Sequence, residues 1–297
     1  METLDWVILI LFFFILIGIV LWVVKHEKDN TSEYFLSGRS ETWLAVGAAI
    51  FAANIGSEHL VGLAGAGAES GMAMAHWEMQ GWLILVLGWV FVPFYAHSKV
   101  FTMPEFLLRR FNKNTSSILS LITLISYVLT KVSVTAFTGG IFLQSVMGID
   151  FWTGAIGLVL LTGVFTVLGG MKGIMKISVI QAPILILGAI TILILGLLKL
   201  GDGSIIAGWN EMVAFSGDKM HLIHSKGDPL YDKFPGIGVI FGASIIGFWY
   251  WCTDQHIVQR ALAAKNLNHA RKGTIFAAYL KLLPVFMFLV PGMIAAA

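Results

Sequence analysis

The sequence predicts an all-α integral membrane protein, and three observations carry that reading. Hydrophobic residues fill 57% of the 297 positions and charged residues only 12%, about half the charged share of a soluble domain. Several apolar runs reach the roughly 20 residues a helix needs to cross about 30 Å of hydrocarbon. Between these runs the connections are short, apart from one segment over 201–235, and nothing in them reads as a soluble domain.

The first run, residues 6–24, carries no charge. Its start holds Glu2 and Asp5 and no small-residue cleavage site follows, so it reads as a retained spanning helix and not a secretory leader. Further spans are expected near 43–67, 73–96, 117–146, 151–170, 175–198, 235–258 and 274–297. The whole chain, 1–297, is then a single transmembrane domain.

Lysine and arginine set the orientation, because cytoplasmic loops accumulate them. They fall in alternate connections: Lys25, Lys28 and Arg39; Lys99, Arg109, Arg110 and Lys113; Lys172 and Lys176; Arg260, Lys265, Arg271 and Lys272. This predicts a multi-pass protein of the plasma (inner) membrane with its N-terminus extracellular or periplasmic. The sequons at Asn30 and Asn114 then lie inside and stay unused. His221 and His224 fall in the outer connection, where an exposed polar loop is expected instead of a metal site, since no further ligand spacing accompanies them.

Other function classes fall away on composition. A net charge of +2 with no basic, aromatic-rich patch excludes nucleic acid as partner. The single Cys252 excludes an intramolecular disulfide and is expected to pack within a helix. No nucleophile with a base and no complete metal cluster is visible, so an enzyme is not expected.

What remains is a set of polar groups inside apolar runs. A charge near a helix centre costs at least about 2.5–3.5 kcal/mol on insertion scales, yet Glu58, His59, Glu78, Lys131 and Lys281 all fall within predicted spans. Any one of them fits a structural ion pair, but their clustering beside an interrupted helix points to a site. The interruption is Asn54, Gly56 and Ser57 in the second span; the seventh carries Gly236, Gly238, Gly242 and Gly247. Interrupted segments at matching places in two halves mark the midplane binding site of a transporter. Glycine alone more simply means close helix packing, as expected for Gly67 and Gly71. If the second span unwinds, its freed carbonyls become ligands for a hard cation such as sodium, while Asn54 and His59 offer hydrogen bonds to hydroxyls. The aromatic run Phe248-Trp249-Tyr250-Trp251 is expected at a matching break, as a stacking surface or gate.

These residues also carry a resemblance. Ala53-Asn54-Ile55-Gly56-Ser57-Glu58-His59, Val61-Gly62-Leu63-Ala64-Gly65, Thr102-Met103-Pro104-Glu105-Phe106, the stretch 250–255 continuing through Gln259-Arg260-Ala261-Leu262-Ala263-Ala264-Lys265, and Tyr279-Leu280-Lys281-Leu282 with Pro291-Gly292-Met293 resemble the sodium/solute symporter family, in particular its sodium/glucose cotransporter branch. The likeness runs over essentially the whole chain. It implies an inverted-repeat transporter fold with discontinuous helices: an extra N-terminal helix at 4–24, a first five-helix repeat at 43–198, and the start of a second repeat at 235–297. By position it implies that Asn54, His59, Glu78 and Lys281 contact substrate. Tyr250 becomes the inner gate with Trp251 beside it; Leu63 and Trp77 lie near the outer gate, with Tyr127 nearby. The carbonyls of Ala52 and Ile55 become part of a sodium site.

The chain departs from the family pattern at Ser178, which takes an acidic position, and at Gly247, where some relatives have a polar residue. It also stops in an apolar run at Ala297 where relatives continue, so a fold truncated after about eight helices is expected. The implied function is sodium-coupled symport of a sugar such as glucose or galactose, with sodium as coupling ion and no other cofactor. A sodium symporter for inositol or sialic acid, a non-transporting solute sensor, and an inactive fragment remain as alternatives.

Overall fold

A computed structural model describes residues 2–26 and 30–297. Lys28, which entered the charge argument, lies outside the described residues.

The described residues are helical, with two isolated bridges and no named strand. α1 (Thr3–His26) places Asp5 in its first turn and Lys25 and His26 in its last, the signs that complement a helix dipole. Only 17% of its apolar window is covered by the described residues. α2 (Thr31–Leu36) starts at Asn30, whose side chain accepts from the Glu33 amide.

α3 (Trp43–Asn54) is capped by Thr42 and stops at Ile55, where the backbone is extended (φ −95, ψ 111). The helix resumes through a π-helical turn, His59–Leu63, into α4 (Ala64–Ser70). Gly71 then turns the chain at φ 62, a conformation open to glycine. The next pass is built from α5 (Ala75–Glu78), α6 (Gly81–Val86) and α7 (Val92–Ser98). α8 (Met103–Arg110) is a short amphipathic connector with Arg109 and Arg110 in its last turn.

α9 (Lys113–Ser126), a π-helical turn at Tyr127–Val132 and α10 (Ser133–Met147) form one pass. None of its apolar window is covered by protein. α11 (Phe151–Leu200) has 50 residues, about 75 Å if straight and more than twice the hydrocarbon thickness. Gly170 interrupts it at φ 51, ψ −159, with Tyr34 of α2 only 3.0 Å from where a Cβ would stand. α12 (Ile205–Ser216) opens the long connection.

α13 (Gly236–Phe248) runs through a π-helical turn, Trp249–Thr253, to Asp254, where the backbone leaves the helix (φ −69, ψ 128) before α14 (Gln255–Leu262). α15 (Leu267–Leu280) breaks after Lys281, and the chain continues through Val285–Leu289 into α16 (Val290–Ala296).

Among the described residues, six stretches are long and apolar enough to cross a membrane; Gly71 and Gly170 each divide one of them, which yields the about eight segments expected. The second and eighth segments bring their backbones close together at glycines. A Cβ on Gly47 would meet the Gly273 carbonyl at 2.9 Å, one on Gly67 the Leu289 carbonyl at 2.3 Å, and one on Gly292 the Ala64 carbonyl at 1.9 Å. Such close approach is how helices associate where lipid removes the hydrophobic drive. Gly67 thus packs as expected, whereas Gly71 serves the turn.

Two local expectations are corrected. The run Phe248-Trp249-Tyr250-Trp251 is itself helical, and the break falls at Asp254, after it; Phe248 and Trp249 face outward at 39% and 50% exposure. His224 is 1% exposed and not a member of an exposed loop, because its ring packs beside Phe234 and its Nδ1 lies 2.8 Å from Asp228 Oδ2.

Candidate functional site

The site is assembled from residues at helix interruptions. Asn54 is the last residue of α3, Glu78 the last of α5, Lys281 the cap of α15, and Asp254 the break between α13 and α14. A helix end leaves unpaired backbone groups, so polar side chains gather where such ends meet.

At the first break, the amides that would continue the ladder turn elsewhere. The Gly56 amide, whose partner in an unbroken helix is the Ala52 carbonyl, bonds His59 Nδ1 (3.4 Å). The His59 amide bonds the Gly56 carbonyl (3.0 Å) instead of that of Ile55. The Ala53 carbonyl accepts from His256 Nε2 (3.1 Å). An unwound segment over 55–56, with carbonyls released from the ladder, is what the sequence led us to expect.

Beside it lies a buried cluster of polar side chains, the polar chamber of the fold in the sense that its members face one another. Lys281 Nζ donates to Glu78 Oε2 at 2.6 Å, with both side chains 5% exposed. His59 Nε2 lies 3.8 Å from Glu78 Oε1 and 3.5 Å from Asn54 Nδ2. The indole of Trp251 stands 5.5 Å from Lys281 Nζ. Asn54, His59, Glu78, Lys281 and Trp251 are therefore brought together from four segments far apart in sequence.

A second polar cluster adjoins through the edge-to-face pair Tyr250–Trp251 (4.8 Å). Lys131 Nζ donates to Asp254 Oδ2 at 2.7 Å and lies 4.8 Å from the Tyr250 ring and 4.6 Å from that of Tyr127. The Tyr127 hydroxyl donates to Asp254 Oδ1. Tyr250 thus sits between that cluster and a half-buried ion pair, its face against a cation.

Leu63 is buried with Phe288 in one apolar cluster, and Phe288 in turn stands 6.0 Å from the His59 ring. Trp77 is not drawn into the chamber; its ring meets His76 at 5.2 Å, on the side of Phe234 and the long connection. Ser178 is buried and returns its hydroxyl to the Ile174 carbonyl (2.8 Å). Gly247 leaves room for Gln80, whose Oε1 would lie 2.6 Å from a Cβ there. A cavity of about 780 Å³ lies elsewhere, between α1, the start of α3 and α11, and is lined by Trp22, Glu41, Lys172 and Lys176.

Four polar residues that sequence reasoning did not assign to the site belong to this framework: Gln80, Asp254, His256 and Arg260. Asp254 and His256 lie inside the predicted span 235–258, so the same test that flagged Glu78 and Lys281 would have found them. Arg260 is 7% exposed and donates to the His256 carbonyl.

Residues 34–297 match the Sodium:solute symporter family. The chain belongs to this family. Sodium/myo-inositol cotransporter 2 of Mus musculus is 40% identical over 307 residues, covering 99% of this chain and 46% of its own length. Sodium/myo-inositol cotransporter of the same species is 38% identical over 320 residues, covering 99% and 44%. The chain thus spans about half the length of these curated relatives. A solved structure of a Na+-coupled sialic acid symporter in a substrate-bound outward-open state superposes with a TM-score of 0.82 at 21% identity, covering 98% of this chain and 61% of that one. That likeness establishes the inverted-repeat transporter fold with discontinuous helices. As a symporter family member with six membrane-length apolar helices, the chain is a multi-pass membrane protein of a transporter family and not of an enzyme family.

Proposed function

We propose that the chain carries the sodium and solute sites of a sodium-coupled symporter for a neutral cyclic polyol, a sugar such as glucose or galactose or an inositol. The observation that carries this reading is the Glu78–Lys281 pair, held at 2.6 Å beside His59, Asn54 and the broken end of α3. Paired carboxylate and ammonium, an amide and an imidazole offer both donors and acceptors to hydroxyls without a net charge. The two ammonium groups in this region, Lys281 and Lys131, are each matched by a buried carboxylate, and the third cation, Arg260, is turned to the His256 carbonyl, which favours a neutral solute over an acid such as a sialic acid. The names of the 40%-identical relatives favour inositol among the polyols.

In this reading Asn54, His59, Glu78, Lys281 and Trp251 bind the solute. Tyr250 closes the inner side, assisted by Tyr127, and Leu63 and Trp77 lie toward the outer side. The Ala52 and Ile55 carbonyls contribute to the sodium site, supported by the diversion of the Gly56 and His59 amides. Residues 43–198 form the first repeat and 235–297 the start of the second, with α1 outside both and its N-terminus extracellular or periplasmic.

Sodium entry supplies the work. One charge crossing 100 mV releases about 2.3 kcal/mol, enough for roughly 50-fold accumulation. The test is uptake of tritiated myo-inositol, glucose, galactose and N-acetylneuraminate into proteoliposomes holding the chain, with and without an inward sodium gradient. Sodium-dependent accumulation of a neutral polyol is expected. Sodium-dependent binding without accumulation would instead indicate a solute sensor, and uptake of the acid alone would reject the neutral-polyol reading.

A further inference from the structure

We propose that His256 is a positioning residue of the ion site, pinning the broken end of α3 from across the bundle; the inference rests on the reading of Ala52 and Ile55 as sodium ligands.

When α3 stops at Ile55, the carbonyls of its last turn lose their i+4 partners. A carbonyl left without a partner in a membrane interior costs several kcal/mol, and each must be satisfied or put to use. The Ala53 carbonyl, which the Ser57 amide would take in a continuous helix, accepts instead from His256 Nε2 at 3.1 Å. A carbonyl only accepts, so Nε2 carries the proton.

The imidazole is itself fixed. Its residue's amide donates to Asp254 Oδ1 (2.9 Å), the cap of α14. Its carbonyl accepts from Arg260, whose guanidinium also lies 3.5 Å from His256 Nδ1. Asp254 is in turn held by Lys131 and Tyr127.

The same two chain segments are tied again at their far ends. The Glu41 amide donates to the Ala263 carbonyl (3.1 Å) and the Lys265 amide to the Glu41 carbonyl (3.0 Å). His256 thus adds a tie between α3 and α14 themselves to the one that joins the residues flanking them, and it is placed where both helices break.

Its consequence for the ion is geometric. Successive residues of a helix are rotated by about 100°, so fixing the Ala53 carbonyl toward α14 fixes the direction of the Ala52 carbonyl beside it. The imidazole satisfies the one oxygen that faces it and leaves its neighbour for the cation. Without that bond, the end of α3 is free to rotate, and the ligand set loses its shape before the chamber of Glu78 and Lys281 does.

The experiment uses the purified chain in nanodiscs, with His256→Leu and His256→Gln. Two readouts are taken: saturation by 22Na+, and amide hydrogen exchange over 51–58 without sodium. His256→Leu should raise the sodium half-saturation about tenfold and accelerate exchange over 51–58 about tenfold, while tritiated polyol affinity at saturating sodium stays within twofold. His256→Gln, which keeps a donor at similar reach, should restore both. Unchanged exchange in His256→Leu overturns the proposal, as does an equal loss of sodium and polyol binding that His256→Gln leaves unrepaired. If the wild-type chain shows no sodium saturation, the sodium site is not complete in this chain and the proposed ion role of His256 falls with it; the exchange readout then decides the pinning of α3 by itself.

Discussion

Lys281 and Glu78 meet across 203 residues of chain with Nζ and Oε2 2.6 Å apart, and neither side chain is more than 5% exposed. Each stands where its helix stops, so the pair joins the third and eighth segments at the depth where the second segment unwinds. Everything assigned to the solute site is arranged around this bond.

Removing one member leaves a buried charge without its partner, which costs about 3–5 kcal/mol, whereas removing both is far milder. Glu78→Gln and Lys281→Gln should therefore each lower the melting temperature of the detergent-solubilised chain more than the double variant does. A double variant as unstable as the sum of the two singles would show that the pair is not coupled. All three variants should lose polyol binding.

Tyr250 meets Lys131 face-on, and Lys131 is anchored by Asp254. Tyr250→Phe keeps the ring and should bind polyol within about threefold of wild type, while Tyr250→Ala should lose about tenfold, the ~1–2 kcal/mol that a buried ring face contributes. Equilibrium binding of tritiated polyol distinguishes them, and equal affinities for the two variants would remove Tyr250 from the site.

Gly292 packs so closely that an added Cβ would stand 1.9 Å from the Ala64 carbonyl. Gly292→Ala should force the second and eighth segments apart at a cost of about 1–3 kcal/mol, the usual range for overpacking. Gly163, with nothing within 4 Å of its Cβ position, supplies the control: Gly163→Ala should leave thermal stability unchanged or slightly raised.

In the long connection between α12 and α13, the hydrogen bond from His224 holds the Asp228 carboxyl below its ordinary range. A depressed carboxylate pKa contributes stability above the unfolded value of about 3.9, and the contribution is lost as pH falls through the lower folded value. Asp228→Asn should abolish that acid limb. Hydrogen exchange over 217–235, followed from pH 5 downward in both forms, reads the effect.

The helical membrane class was readable because apolar runs of spanning length have few other fates, and the first break because Asn54, Gly56 and Ser57 interrupt such a run. The second break was displaced in the sequence reading because four consecutive bulky aromatics drew attention away from Asp254, although an aspartate in the predicted span 235–258 carries the same penalty as Glu78. Lys131 was visible as a charge out of place, but its partner lies 123 residues away and no local pattern records it. The burial of His224 depends on Phe234 folding back over it, a contact that hydropathy does not encode. Trp77 was assigned through resemblance, and its ring lies against that of His76.

The most direct test of the account is equilibrium binding of tritiated myo-inositol and glucose to the purified chain as sodium is raised from zero to 150 mM against a choline control. Saturable binding to at least one of them, tightened about tenfold or more by sodium and abolished by Glu78→Gln, is the predicted result. Binding that ignores sodium, or that survives Glu78→Gln unchanged, would contradict the claim that the unwound end of α3 and the Glu78–Lys281 chamber form one coupled site.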